Sequence, residues 1–176
     1  MTREELAKAI YDVSHLTGTF TLRSGAVSNE YFDKYLFEAR PDVLKAIAEH
    51  LAELLPEETE ILAGLEMGGI PIATALSLKT GLPGAFVRKE AKKYGTAKIA
   101  EGADLKGKRI VVVEDVVTSG GQVILSAADL RGLGADILCA VCVIDRESGG
   151  KEKLAAEGIE LRALFTMSEL KAAVGE

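Results

Sequence analysis

From residue 60 onward, short apolar runs alternate with segments of helical spacing, and this alternation most constrains the fold. "EILAGL", "GAFVR", "RIVVVE", "DILCAVCVI" and "IELRALF" read as strands. A helix is expected from about Ile70 to Lys79, a second in "QVILSAADLRGL", and a short third after "DRESGG". A strand apolar along its whole length is covered on both faces, and strands that alternate with helices form parallel sheets. The expected class is therefore α/β, a mostly parallel central sheet flanked by helices. Such sheets bind ligands outside the carboxyl ends of their strands. Three loops leave those ends, "EMGG", "EDVVTSGG" and "DRESGG", and a polar insert after "GAFVR" is a fourth.

The amino-terminal part reads differently. Thr2 and Glu5 make a capping box for a helix to about His15. "GTFTLRSGAVSNEYFDKY" carries turn residues and short β-like pieces, and Pro41 suits the first turn of a further helix. A length of 176 residues fits one domain, and 48% hydrophobic with 27% charged residues is ordinary for a soluble globular chain. No apolar run approaches the roughly 18 residues that span a bilayer, and "MTREELAKAIYDV" lacks a secretory h-region, so a cytoplasmic protein without membrane contact is expected. The net charge of −6 argues against nucleic acid as a partner. Cys139 and Cys142 form a C-x-x-C, but positions three apart on a strand face opposite sides. Two separately packed thiols are expected, not a metal or redox pair.

"RIVVVEDVVTSGGQV" poses the chemical question. Glu114 and Asp115 stand together where a buried strand meets its loop, and like charges repel. Beyond them, Thr118 and Ser119 bring hydroxyls, while Gly120 and Gly121 let backbone N–H groups approach a ligand. The loop feeds a helix start, which attracts a phosphate. Ser119 and Gln122 could instead form a capping box, though that leaves the two acids unexplained. Carboxylates accept hydrogen bonds from a sugar diol, so a phosphorylated ribose has the matching shape. The spacing fits neither a Walker A loop nor G-x-G-x-x-G.

"VVVEDVVTSGG" resembles the phosphoribosyl-pyrophosphate (PRPP) signature of type I phosphoribosyltransferases. That resemblance implies PRPP contacts along Glu114, Asp115, Val116, Val117, Thr118, Ser119, Gly120, Gly121 and Gln122. Gly121 stands where the family loop often has Thr or Ser. "VRKEAKKYGTAK" holds five cations, Arg88, Lys89, Lys92, Lys93 and Lys98, against the single acid Glu90. A run like this is usually a solvated face, but its place after a strand suits a lid that closes on a pyrophosphate. "RKEAKKYG" resembles the lid of orotate phosphoribosyltransferases, with Tyr94 at the usual His position. By that resemblance Arg88, Lys89 and Lys92 contact pyrophosphate, and Arg88 and Lys92 reach the neighbouring subunit's site in a homodimer. Lys92 and Asp115 are the implied catalytic residues.

"TFTLRSG" and "NEYFDKY" resemble the same family's amino-terminal hood, which places Arg23, Tyr31 and Phe32 at the orotate. Arg146 in "DRESGG" is implied to read the base, with Thr118 beside it. "GLEMGGIPIA" resembles a family turn in which many members have Lys where Gly68 stands. One domain over 1–176 is expected, with a hood from about 1–40 and a lid from about 89–105. The implied reaction is orotate plus PRPP giving orotidine 5′-monophosphate and pyrophosphate, with Mg²⁺ held by the substrate and no direct protein ligand. A transferase for another nucleobase, or a PRPP-sensing regulator, are the alternatives.

Overall fold

A computed structural model describes residues 1–21, 25–90 and 98–176. Arg23, Lys92, Lys93 and Tyr94 lie outside the described residues. The elements run α1 (Arg3–Ser14), β1 (His15–Thr21), β2 (Val27–Phe32), α2 (Lys34–Glu38), α3 (Pro41–Ala52), β3 (Ile61–Leu65), α4 (Gly69–Thr80) and β4 (Gly84–Val87). They continue with β5 (Ala100–Gly102), β6 (Arg109–Val117), α5 (Gly121–Gly132), β7 (Asp136–Asp145), α6 (Gly150–Ala156), β8 (Leu161–Thr166) and α7 (Met167–Ala173).

The main sheet has the order β5-β4-β3-β6-β7-β8, parallel except for the β4–β5 edge. The α/β expectation holds for a plain reason. Every residue of β3 is buried, as are Ile110 to Asp115 of β6, so no strand face is left for water. One face packs on α1, α3, α4 and α7 through Leu6, Ile10, Val43, Ile47 and Leu76. The other packs on α5 and α6 through Val123, Leu130 and Leu154. Cys139 lies in the first of these cores and Cys142 in the second, on opposite faces of β7 as the strand period requires.

Thr2 and Glu5 form the expected capping box, and Pro41 opens α3 at its first turn. The hood drawn over about 1–40 takes in α1, which packs into the main core; the part outside the main sheet is a two-stranded antiparallel sheet, β1 on β2, followed directly by the single turn of α2. Two further differences from the sequence expectation matter. The polar stretch after Arg88 returns to the sheet as β5, and Leu105 is buried, so a lid drawn as far as 105 takes in a strand and a core residue. The chain also ends in α7, capped by a Thr166–Glu169 box.

Candidate active site

The loops at the carboxyl edge of the main sheet interlock through backbone. The Arg146 N–H donates to Val117 O at 2.9 Å, which ties "DRESGG" to the end of β6. Gly150 lies so close to Thr118 O and Gly120 that a side chain there would collide with both. Asp145 accepts from the Glu147 N–H at 2.9 Å, and Glu147, at φ 56, accepts from the Ser168 N–H at 2.9 Å. These bonds hold the Arg146 loop between β6 and α7.

Gly120, at φ 75, is the N-cap of α5, and no side chain caps that helix. The Ser119–Gln122 capping box therefore does not form; the Gln122 amide instead donates to Ser126 Oγ at 3.2 Å. Thr118, Ser119 and Gly121 are exposed around a helix start whose first N–H groups no side chain has taken. That is the geometry an anion needs.

Behind this start lies a carboxylate cluster. Glu114 and Asp115 are both buried, Asp115 completely, and Glu38 of α2 joins them from the hood side. The Asp115 N–H donates to Glu114 Oε1 at 3.0 Å, and the Val116 N–H donates to Asp115 Oδ1 at 2.5 Å. Lys34 Nζ lies 2.6 Å from Asp115 Oδ2. Lys34 and Glu38 are four residues apart, so one turn of α2 turns both toward Asp115. Sequence reading missed these two residues. The available signal was the i, i+4 spacing in "DKYLFE", but nothing local says which distant strand they meet.

Three acids share one lysine, so they cannot all ionise. Burial, then the bond with Asp115, pushes the Glu38 carboxyl up to about 9. Burial likewise raises Glu114 well above the usual carboxylate range. Burial also acts to raise Asp115, but hydrogen bonds from Glu114 and Lys34 outweigh it and hold the group below its ordinary value. Asp115 is thus the member that carries the charge, and Lys34 balances it.

Linkage sets a direction for stability. Glu38 keeps its proton when folded up to about 9 but loses it near 4.5 when unfolded, so unfolding releases a proton between those limits. Stability contributed by this group is complete below the unfolded value and fades as pH rises toward the folded one. Tm should therefore decline from about pH 5 to about pH 9, and Glu38→Gln, which keeps a donor, should flatten that decline. Thermal denaturation across the range checks it; identical slopes in the two proteins would count against a neutral Glu38.

Gly68 closes the cluster from above. Its backbone is ordinary helical, φ −70 and ψ −29, so glycine is needed for space and not for conformation. A Cβ built there would sit closer to Asp115 Oδ2 than any nonbonded atom can, and 3.0 Å from Glu38 Oε1. A Cβ at Gly69 would in turn collide with Val113 O. The "EMGG" turn therefore lies directly on the acids.

Three of the five expected base-reading residues border a neighbouring cavity of about 300 Å³, and Arg23 lies outside the described residues. Tyr31, Phe32 and Arg146 line it, with His15, Glu30 and Lys171. Tyr31 stacks at 5.5 Å on Phe20 and stays exposed, whereas Phe32 leans on Tyr11 and the core. Thr118 is not among the residues lining this cavity. His15, to which sequence reading assigns no part, pairs with Glu30 at 2.9 Å on its wall. Arg88 Nε is 4.0 Å from Glu101 Oε1 and lines a separate depression with Glu66, Ile70 and Phe86, while the Lys89 N–H donates to Glu66 Oε1 at 2.5 Å.

Comparison with known proteins accords with this geometry. A family model described as "Phosphoribosyl transferase domain" matches residues 37–163. An orotate phosphoribosyltransferase of Nocardioides sp. is 51% identical over 168 residues, 96% of this chain and 94% of that protein. A crystal structure of Mycobacterium tuberculosis orotate phosphoribosyltransferase in complex with Fe(III) dicitrate superposes with a TM-score of 0.88 at 29% identity, covering 96% of this chain and 98% of that one. A structure of the same mycobacterial enzyme in complex with PRPP gives 0.83 at 27% identity, covering 96% and 98%. With a matching family model over most of its length and a curated relative at this identity, the chain belongs to the phosphoribosyl transferase family, among the orotate phosphoribosyltransferases.

Proposed function

We propose that the chain transfers the phosphoribosyl group of PRPP to orotate, releasing pyrophosphate and forming orotidine 5′-monophosphate. The observation that carries the reading is the placement of a buried acid pair, Glu114 and Asp115, beside a helix start that no side chain caps. The 5′-phosphate takes the N–H groups and hydroxyls of Thr118 to Gln122, and the acids receive the ribose hydroxyls. Orotate lies in the cavity with Tyr31 as a stacking face and Arg146 as a planar donor to its carboxylate or carbonyl oxygens. Arg23 adds a cation from the hood.

Displacement at the ribose C1 develops positive charge on the sugar and needs no covalent nucleophile. The Asp115 carboxylate under the ring favours that charge, and Lys89 and Lys92 neutralise the leaving pyrophosphate. Mg²⁺, when bound, helps to neutralise that diphosphate. Its place on the substrate suits this donor set, because Asp115 is engaged by Lys34 and the Val116 N–H, and Glu38 and Glu114 are held protonated. A lid from residue 89 to the start of β5 excludes water that would hydrolyse PRPP.

The working unit is a homodimer, with Arg88 and Lys92 serving the neighbouring site. Supporting this, Arg88 lines a surface depression beside Phe86, which is exposed there. A cytoplasmic location is part of this reading; no described helix is long and apolar enough to cross a membrane. Steady-state rates with PRPP, Mg²⁺ and each of orotate, uracil, adenine, hypoxanthine and xanthine test the assignment. Orotate should be consumed and the other four left; turnover of a purine with orotate untouched would refute it.

A further inference from the structure

Asp115 is unreachable as the site stands. Its side chain has no exposed surface, Oδ1 is occupied by the Val116 N–H, and Oδ2 by the Lys34 ammonium. Gly68 covers it from above and Glu38 from the side. A ribose hydroxyl can bond to this carboxylate only if one neighbour leaves. Gly68 is backbone continuous with Gly69, where a Cβ would collide with Val113 O. Glu38 and Glu114 are buried. Lys34 differs from all of them: its side chain is 34% exposed and sits on a flexible four-carbon stem. Its backbone is meanwhile held by the Asp33 cap on the Tyr35 N–H at 3.1 Å, so the stem can swing without unwinding α2.

Leaving has an electrostatic requirement on both sides. A buried carboxylate stripped of its cation needs other donors, and an ammonium stripped of its carboxylate needs another anion. PRPP carries both, because its hydroxyls can donate to Asp115 and its diphosphate can accept from Lys34. We propose that Lys34 is an exchanging counter-ion: it closes on Asp115 in the empty site, and moves to the diphosphate of PRPP as the ribose hydroxyls take its place. Lys34 is thereby a binding residue for the donor substrate, contributed by the hood and not by a sheet loop. The inference rests on the reading that these acids receive a ribose.

The exchange has a signature that simple structural support lacks. Ribose 5-phosphate brings hydroxyls without a diphosphate, so it competes with Lys34, whereas PRPP rewards its release. In Lys34→Met, PRPP should therefore bind about tenfold more weakly or worse, the loss of one charge-assisted contact, while ribose 5-phosphate binds as well as before or more tightly. Calorimetric titration of both ligands measures this, and Lys34→Arg should restore PRPP affinity. Parallel weakening of both ligands, or no change in either, overturns the proposal.

A measurement on the unaltered protein guards against a variant that fails to fold. Modification of Lys34 by an amine-reactive reagent, followed by mass spectrometry, should quicken with ribose 5-phosphate and slow again with PRPP. Both ligands bound with no response at Lys34 sinks the exchange alone. If neither ligand binds the unaltered protein, the phosphoribosyl reading of the site falls, and the exchange falls with it.

Discussion

Gly68→Ala should leave a protein that melts earlier and has lost about 100-fold or more in kcat/KM for PRPP. The added methyl has nowhere to go, because it meets Asp115 Oδ2 on one side and Glu38 Oε1 on the other. Either the "EMGG" turn lifts off the acids or Asp115 turns away from Lys34 and the Val116 N–H. Overfilling a packed site costs about 1–3 kcal/mol, and pulling Asp115 from its amide donor and its partly exposed lysine adds to that. Even about 3 kcal/mol reaching the bound state is a factor above 100. Gly132→Ala is the matched control, since nothing lies within 4 Å of a Cβ there; it should be neutral or slightly stabilising. Calorimetry and steady-state kinetics on both variants decide the matter, and a fully active Gly68→Ala would mean that the turn does not rest on Asp115 during catalysis.

Lys92→Ala should lower kcat by roughly two to three decades while orotate binding changes little, as removal of a cation acting on developing charge does. Lys92 lies outside the described residues, but the flanks of its segment are in view. The Arg88 N–H donates to Ile99 O at 2.8 Å, so the two ends of the insert are pinned together at the β4–β5 edge. Single-turnover kinetics separate the chemical step from binding. An unchanged kcat with a raised KM for PRPP would make Lys92 a simple ground-state contact.

Much of this was legible in the chain itself, and the reason is periodicity. "RIVVVEDVV" and "DILCAVCVID" are apolar on both faces through 110–113 and 137–144, a pattern that a covered central strand sustains. The same strand logic placed Cys139 and Cys142 in different cores. Periodicity fails for short elements: α2 is one turn and β5 three residues, too few for either spacing to emerge. The cap of α7 was written in "TMSE", but Thr166 ends β8 and caps α7 at once, so the two elements abut without a loop to separate them.

The site divides in the same way. Glu114, Asp115 and the loop to Gln122 sit together because they are contiguous, and a sequence displays contiguity. The pairing of Lys34 with Asp115 spans 81 positions, and is created only when the hood folds over the sheet. Gly68 read as the absence of a cation, whereas the folded chain shows a space already claimed by Asp115, with an ammonium supplied from α2.

The buried sulfur atoms carry a last consequence. Cys139 and Cys142 have no exposure, and burial raises both thiols, Cys139 to about 11, so almost no thiolate is available to an oxidant. Each lies beneath a different layer of helices, and neither can meet a reagent until the layer above it parts from β7. Oxidation of these two cysteines is therefore tied to how often the layers separate, and it reports on the cohesion of the fold, not on thiol reactivity.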